Sequence, residues 1–379
     1  ATFDTRPPEG TINLGIGQPS PDLMPVELFR ELSEQFLARA KPLDFNYGEK
    51  QGDIRFRESL ADFLSIHYGA DAGPDELFLT GGNSQALDLA CARFSGPGDT
   101  IFVEEPAYFL AYQVFRDHDL DIRPLPTDKD GLSIDALESL LERVQPELLY
   151  TIPSFSNPGG QMMSGPRRER LVELSREHDF IILADEVYQL LPCFGDVPLA
   201  LGTMIRQGNV LSLGSFSKIL APGLRLGWIQ GSEHLVSRIL DFGWINSGGS
   251  INHVSSHLVR HAIDSGLQDQ HLEFVKDAYR ERLLAMHSAL EQHLADMARW
   301  TRPDGGYFFW IELPEGTDAL ALRGKAANYQ TGFQPGPLFS AQGGFGNWLR
   351  LSFAHYGVAD IEKGIERLAR LLRESGSAS

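Results

Sequence analysis

Three polar residues stand where apolar stretches of the chain end: Asn157 after "ELLYTIPSFS", Asp185 after "FIILA" and Lys218 after "NVLSLGSFS". Burial or a cationic neighbour readily lowers the pKa of a lysine, leaving a free amine that acts as nucleophile or base. A buried carboxylate keeps a basic partner protonated, and an asparagine amide offers a donor and an acceptor together. Each residue also has a bland use. Asn before Pro is ordinarily a turn residue, Asp after a strand a helix cap, and Lys in a Gly/Ser/Pro loop a solvated surface charge. What separates the two readings is the company each residue keeps.

That company is rich in anion-binding groups. "TGGNSQALDLA" sets a Gly-Gly turn directly before a helical pattern, so the amides near Asn83 and Ser84 would point at an anion favoured by the helix dipole. "SLGSFSKILAPGLRLGW" gathers Ser215, Ser217, Lys218 and Arg225 in one strand-loop-strand segment, where Gly214 and Gly223 permit tight backbone turns. Arg350 lies in the apolar run "NWLRLSFA". A guanidinium there is costly unless paired, and its fork matches a carboxylate, which predicts burial opposite a ligand carboxylate. Lys50, Lys129 and Lys276 lack comparable context. Cys91 and Cys193 have no metal-ligand spacing, so no metal site is expected.

The elements that must position these residues follow from periodicity. Short apolar runs alternate with helical patterns: "DELFLTGG" then "NSQALDLACARF", "DTIFVEEP" then "AYFLAYQVFRDH", "ELLYTIPS" then "RRERLVELSREHD". "FIILADEV" and "NVLSLGSF" add two more strands. Such alternation predicts an α/β architecture with a mostly parallel sheet flanked by helices, whose ligands collect beyond the carboxyl ends of the strands. After about Gly248 the pattern turns to long helices and then to the strand-like "GGYFFWIEL" and "NWLRLSFA", predicting a smaller α+β domain. The expected organisation is an N-terminal segment 1–40 joining the small domain, a large domain 41–250 and a C-terminal small domain 251–379. An amphipathic helix is expected over 25–40, and the Gly- and Pro-rich stretch before it reads as loop. Order is expected to fail only at the termini, as in the "SGSAS" tail.

On these residues the chain resembles the fold type I pyridoxal 5′-phosphate (PLP) aminotransferases, within them the aminoadipate, kynurenine and aromatic aminotransferase subgroup. The resemblance runs from "NYGEKQGDIRFRESLADFL" through "EEPAYF", "SNPGG" and "ADEVYQ" to "NWLRLSFA". It implies that Lys218 carries the cofactor as a Schiff base and shuttles the substrate proton. Asp185 would pair with the pyridine nitrogen, Tyr188 and Asn157 would hydrogen-bond the phenolic oxygen, and Tyr108 would stack on the ring. Asn83, Ser84, Ser215, Ser217 and Arg225 would hold the phosphate. Arg350 would bind the substrate α-carboxylate, with Gly17, Asn157 and Tyr47 at the same end. The tyrosine would reach across from a second subunit, which implies a homodimer. The chain departs from the family at Gly159, where N-P-T-G is common, at Asn83, where Ser or Thr is common, and in "YQTGFQPGPLFSAQGG", which lacks the usual glycine-valine opening before Pro335-Gly336.

The expected activity is transfer of an amino group between an L-amino acid and a 2-oxo acid, with glutamate and 2-oxoglutarate as one pair. Another PLP reaction on the same scaffold (lyase, racemase, decarboxylase or oxidase) uses the same Lys218, Asp185 and Arg225, because the cofactor performs the hard chemistry. A regulator carrying an aminotransferase-like sensor domain is a third class. It is opposed by a formal net charge of −18, which repels nucleic acid and anionic membrane alike, and by a match that begins within the first twenty residues. Two isolated cysteines, an amino terminus without an apolar segment and no long apolar run lead to the expectation of a cytoplasmic protein.

Overall fold

Strand periodicity builds the centre of the molecule, which the computed structural model describes over residues 7–249 and 251–376. Residues 1–6, Ser250 and 377–379, including the end of the "SGSAS" tail and one expected domain junction, lie outside the described residues. A short strand β1 (Ile12–Asn13) precedes the strands of the large sheet: β2 (Leu77–Thr80), β3 (Thr100–Glu105), β4 (Asp121–Asp128), β5 (Gly131–Leu132), β6 (Leu148–Thr151), β7 (Ile181–Asp185), β8 (Val210–Ser215) and β9 (Gly227–Gly231). Their order is β2-β9-β8-β7-β6-β3-β4-β5. β3, β4, β6, β7 and β8 run parallel, β9 is antiparallel to both of its neighbours, and β5 is antiparallel to β4.

Successive side chains of one strand point to opposite faces, and both faces here are covered. Phe102, Leu149, Ile182, Ala184 and Val210 enter one apolar cluster. Their strand neighbours Ile101, Val103, Leu148, Tyr150, Leu183, Leu211 and Leu213 enter the other, together with Ala86, Leu87 and Ala90 of the helix Asn83–Phe94. Tyr150, Asp185 and Ser215 share the parity of this second set. They therefore emerge on the helix-covered face at the carboxyl ends of adjacent strands, where ligands of parallel sheets collect.

The carboxyl-terminal part adds a four-stranded antiparallel sheet, from β10 (Arg299–Trp300), β11 (Phe308–Glu312), β13 (Gln334–Pro335) and β14 (Trp348–Ser352), in the order β10-β11-β14-β13. The remaining strand, β12 (Thr331–Gly332), pairs in parallel with β1. Period two again sorts the side chains: Phe309, Ile311, Leu349 and Leu351 enter the apolar core. Arg350 has the opposite parity and stands between Trp310 and Gln334 in register across the sheet. The long helix Leu267–Leu294 packs against the terminal helix Val358–Gly376.

Beyond β1 the chain runs alongside β14, with Ser352 N donating to Leu14 O at 2.6 Å. The stretch expected to be loop thus contains a two-residue strand, and beyond it Gly15 reaches Arg350 and Gly17 reaches Lys218. The expected amphipathic helix spans Val26–Arg39.

Candidate active site

A cavity of about 430 Å³ opens beyond the carboxyl ends of β7 and β8. It is lined by Gly17, Asn83, Ser84, Tyr108, Asn157, Asp185, Tyr188, Ser215, Ser217, Lys218, Arg225 and Arg350, so twelve of the sequence-derived candidates meet in one place. Tyr47 is the exception. It is 83% exposed and does not line the cavity of its own chain.

Asp185 sits in the floor. Its Oδ2 accepts from Tyr150 Oη at 2.8 Å and its Oδ1 from Asn83 Nδ2 at 2.7 Å. Burial raises the pKa of this carboxyl, while the Tyr150 and Asn83 bonds and the Lys218 charge oppose the shift. Asn83 Nδ2 also reaches Leu213 O at 3.2 Å, but its buried Oδ1 has no partner among the described residues.

Lys218 Nζ donates to Gly17 O at 3.0 Å and lies 5.1 Å from the centre of the Tyr307 ring. Burial, reinforced by the positive charge of Arg350 and opposed by Asp185, brings its pKa down to about 8. An appreciable fraction of the amine is then unprotonated near neutral pH, the condition a nucleophile or base requires. Tyr188 is buried, and burial pushes its hydroxyl well above the usual tyrosine range. Tyr108, the residue before the helix Phe109–Asp117, is likewise pushed up to about 12, chiefly by burial and then by Asp185.

One end of the cavity gathers groups that could hold an anion. Gly82 has φ +94, and a Cβ there would stand 2.9 Å from Arg225 Nη2, so only glycine lets the guanidinium approach the turn before the helix Asn83–Phe94. Arg225, itself at φ 47, donates Nη2 to Gly81 O at 2.7 Å. Ser215 Oγ donates to Ser217 Oγ at 2.9 Å and accepts from Ser217 N at 3.1 Å, which draws both hydroxyls to this end. Arg225 forms no ion pair among the described residues.

The opposite end holds Arg350, which is only 3% exposed. Its Nη1 donates to Asn157 Oδ1 at 2.8 Å, its Nη2 donates to Gly15 O at 2.9 Å, and its Cζ lies 4.0 Å from the centre of the Phe308 ring. Burial lowers its pKa to about 10, which leaves it charged at neutral pH. No carboxylate pairs with it among the described residues. A buried cation facing a cavity without a counter-ion is costly, and an anionic ligand relieves that cost. Gly17 shares this end for a steric reason: a Cβ there would lie 3.0 Å from the Phe308 ring and 3.3 Å from Arg350 Nη2.

Sequence reasoning passed over Tyr150, the Gly15 carbonyl, Phe308 and Gln334, all of which belong to the site. Tyr150 carried a usable signal, since it shares strand parity with Asp185 on the neighbouring strand. The Gly15 carbonyl carried none, because a backbone contact across more than 300 residues leaves no mark on residue type.

A second polar convergence lies elsewhere: donor atoms of Asp53, His253 and His257 fall within 4.8 Å of one another. Asp53 is already engaged, since its Oδ1 accepts from Arg55 N at 3.0 Å and Arg55 Nε at 3.1 Å, and its Oδ2 accepts from Arg55 Nη2 at 2.8 Å. Arg55 therefore supplies the cation, and Asp53 caps the helix Ile54–Tyr68.

Comparison with known proteins places the chain in one family. The sequence model of the family described as "Aminotransferase class I and II" matches residues 9–368. Over 368 residues the chain is 35% identical to the aromatic-amino-acid aminotransferase 1 of Thermococcus litoralis, a match covering 96% of this chain and 88% of the relative. It is 30% identical over 376 residues to an uncharacterized HTH-type transcriptional regulator of Bacillus subtilis, which it covers to 76%. The solved structure of the α-aminoadipate aminotransferase of Thermus thermophilus, complexed with N-(5′-phosphopyridoxyl)-L-leucine, superposes with a TM-score of 0.90 at 32% identity. That match covers 98% of this chain and 94% of the other.

Proposed function

The chain belongs to the class I and II aminotransferases, and on that premise we propose that Lys218 holds its cofactor and moves the substrate proton, between a phosphate end at Arg225 and a carboxylate end at Arg350. The protein is a PLP-dependent transaminase of amino acids and 2-oxo acids. The buried guanidinium of Arg350, which has no counter-ion among the described residues and lines the same cavity as Lys218 and Asp185, carries the reading of the site.

The donor set suits the cofactor. Asp185 is a buried carboxylate fixed on both oxygens, able to hold a protonated ring nitrogen, while Asn157 and Tyr188 offer polar groups for the phenolic oxygen. Tyr108 offers an aromatic face. The glycine turn at Gly82, the Asn83 and Ser84 amides, Ser215, Ser217 and Arg225 form a cradle that a Cβ at Gly82 would fill. When bound, PLP accepts the electrons of the broken Cα–H bond into its ring. The chain's own part is to orient and to move protons. Arg350 grips the substrate carboxylate, Gly17 leaves room for it, and Lys218 Nζ takes the proton from Cα and returns it on the other side of the exchange.

Glutamate with 2-oxoglutarate is proposed as one substrate pair, and the relatives' named substrates suggest aromatic or aminoadipate-like partners for the other. The exposure of Tyr47, away from its own chain's cavity, supports a homodimer in which it completes the partner's site. The pairing of β1 with β12 supports assigning 1–40 and 251–379 to a small domain and 41–250 to the cofactor-binding domain. Two free buried cysteines support a cytoplasmic setting, and no helix of the described residues is long and apolar enough to cross a membrane.

The test is a single half-reaction. Cofactor-loaded protein mixed with an excess of one amino acid, without acceptor, should release a stoichiometric amount of 2-oxo acid and stop until a 2-oxo acid is added. A lyase, decarboxylase, racemase or oxidase would not stop at one stoichiometric release. A regulatory role, suggested by the Bacillus subtilis relative, is opposed by the net charge of −18, and a salt-sensitive DNA complex would restore it.

A further inference from the structure

Gln334 lies directly opposite Arg350 in the β13-β14 register, so both side chains stand on the same face of the small sheet. It is 8% exposed, lines the catalytic cavity and leaves its side-chain Oε1 without a hydrogen-bond partner among the described residues. Arg350 Nε is also buried and, among the described residues, has no partner. These two complementary groups do not bond each other, although each pays the cost of an unmade hydrogen bond. With the Gln334 amide turned over, Nε2–H takes the place of the orphan Oε1, and a single acceptor between the two side chains then meets a donor from each.

We propose that Gln334 is a specificity-determining residue whose side-chain amide shares the substrate α-carboxylate with Arg350. The proposal rests on the reading of Arg350 as the carboxylate-binding residue. A carboxylate only accepts, so the amide presents Nε2–H to it, which the broad, two-fold torsion of the glutamine terminus allows. Arg350 spends one N–H on Asn157 and one on Gly15, and Gln334 adds a further donor from the neighbouring strand. The glutamine thereby favours amino and 2-oxo acids over amines that lack the carboxylate.

The test measures binding of hydrocinnamate, an unreactive monocarboxylate, to the cofactor-loaded protein by calorimetry, beside half-reaction kinetics with several amino acids. Gln334→Leu should weaken hydrocinnamate binding by about tenfold to a hundredfold, the loss expected for a hydrogen bond to a charged group. kcat/KM should fall by a similar factor for every amino acid, whatever its side chain, with cofactor affinity unchanged. Gln334→Met, which keeps the length without the amide, should show the same loss and stands in if the leucine variant folds poorly. Gln334→Glu should lose more, because its carboxylate would occupy Arg350. Unchanged hydrocinnamate affinity in the leucine and methionine variants would overturn the proposal, as would losses that track the amino-acid side chain. Wild-type protein that binds no hydrocinnamate would overturn it together with the Arg350 reading. Wild-type protein that binds hydrocinnamate but fails the half-reaction sinks the role proposed for Lys218, while the variants still decide the role of Gln334.

Discussion

Tyr150 donates its hydroxyl to Asp185 at 2.8 Å from the adjacent parallel strand, where the shared side-chain parity of β6 and β7 sets both groups on one face. Burial pulls the Asp185 carboxyl toward its neutral form, and this bond works against that pull. Tyr150→Phe removes the opposing bond and leaves a carboxylate oxygen short of a donor. Turnover should fall about tenfold, on the scale of one hydrogen bond to a charged group, and the acid limb of the pH–rate profile should move to higher pH. A tyrosine that served packing alone would lower the melting temperature without moving the limb.

Asp185→Asn should have the larger effect. An amide keeps the shape and can still meet Asn83 and Tyr150, so the fold is retained, but it cannot hold a ring nitrogen in its protonated state. Removing a buried charge partner costs about 3–5 kcal/mol, and a comparable rise in the barrier slows turnover by roughly two to four decades. Near-normal kcat in this variant would mean that some other residue holds the ring.

Lys218 gives the pH dependence its sign. With its pKa brought down to about 8, covalent capture of PLP by the apoprotein should speed up as pH rises toward that value and level off above it. Arg350 is one cause of the depression, so Arg350→Ala should move the inflection upward. The folded pKa lies below the ordinary lysine value of 10.5, so the unfolded chain binds the extra proton between about 8 and 10.5 and apoprotein stability should rise with pH across that window. Lys218→Ala should abolish both the capture and this stability slope while leaving a folded protein. Borohydride reduction and peptide mapping of the wild type check the assignment, since a pyridoxyl group on any other lysine would contradict it.

The strand-helix alternation and the polar ends of β7 and β8 were legible because both rest on local pattern. The helix after the Gly-Gly turn begins at Asn83, the residue the turn itself indicates. "DIRPLPTD" was not legible as strand β4, since Pro124 and Pro126 argue against one. They are accommodated beside the sheet edge: the Pro126 carbonyl accepts from Ser133 N, and β5 pairs only with Thr127 and Asp128. Gln334 was hidden for a different reason. A polar residue between Phe333 and Pro335 reads as turn, and only the register with Arg350 brings it to the cavity. Contacts set by register between distant segments leave no periodic trace, whereas strand ends do.

Arg350→Lys tests the carboxylate end by removing geometry while keeping charge. The guanidinium spends one N–H on Asn157 and one on Gly15, is backed by the Phe308 ring at 4.0 Å, and lines the cavity. An ammonium retains attraction for a carboxylate but loses the parallel pair of donors. The apparent KM for both amino and 2-oxo acids should therefore rise far more than the dissociation constant for PLP. kcat should fall as well, because the Cα–H bond must stand perpendicular to the cofactor plane, and a misplacement of about 1 Å can cost on the order of a hundredfold. The substitution also removes the bonds that tie β14 to Asn157 and to the segment after β1, so some loss of stability is expected with the kinetic loss. A purely structural arginine would give only the former. A lowered melting temperature with unchanged dependence on amino acid concentration would remove Arg350 from the substrate site, and with it the reason for an unpaired cation in that wall.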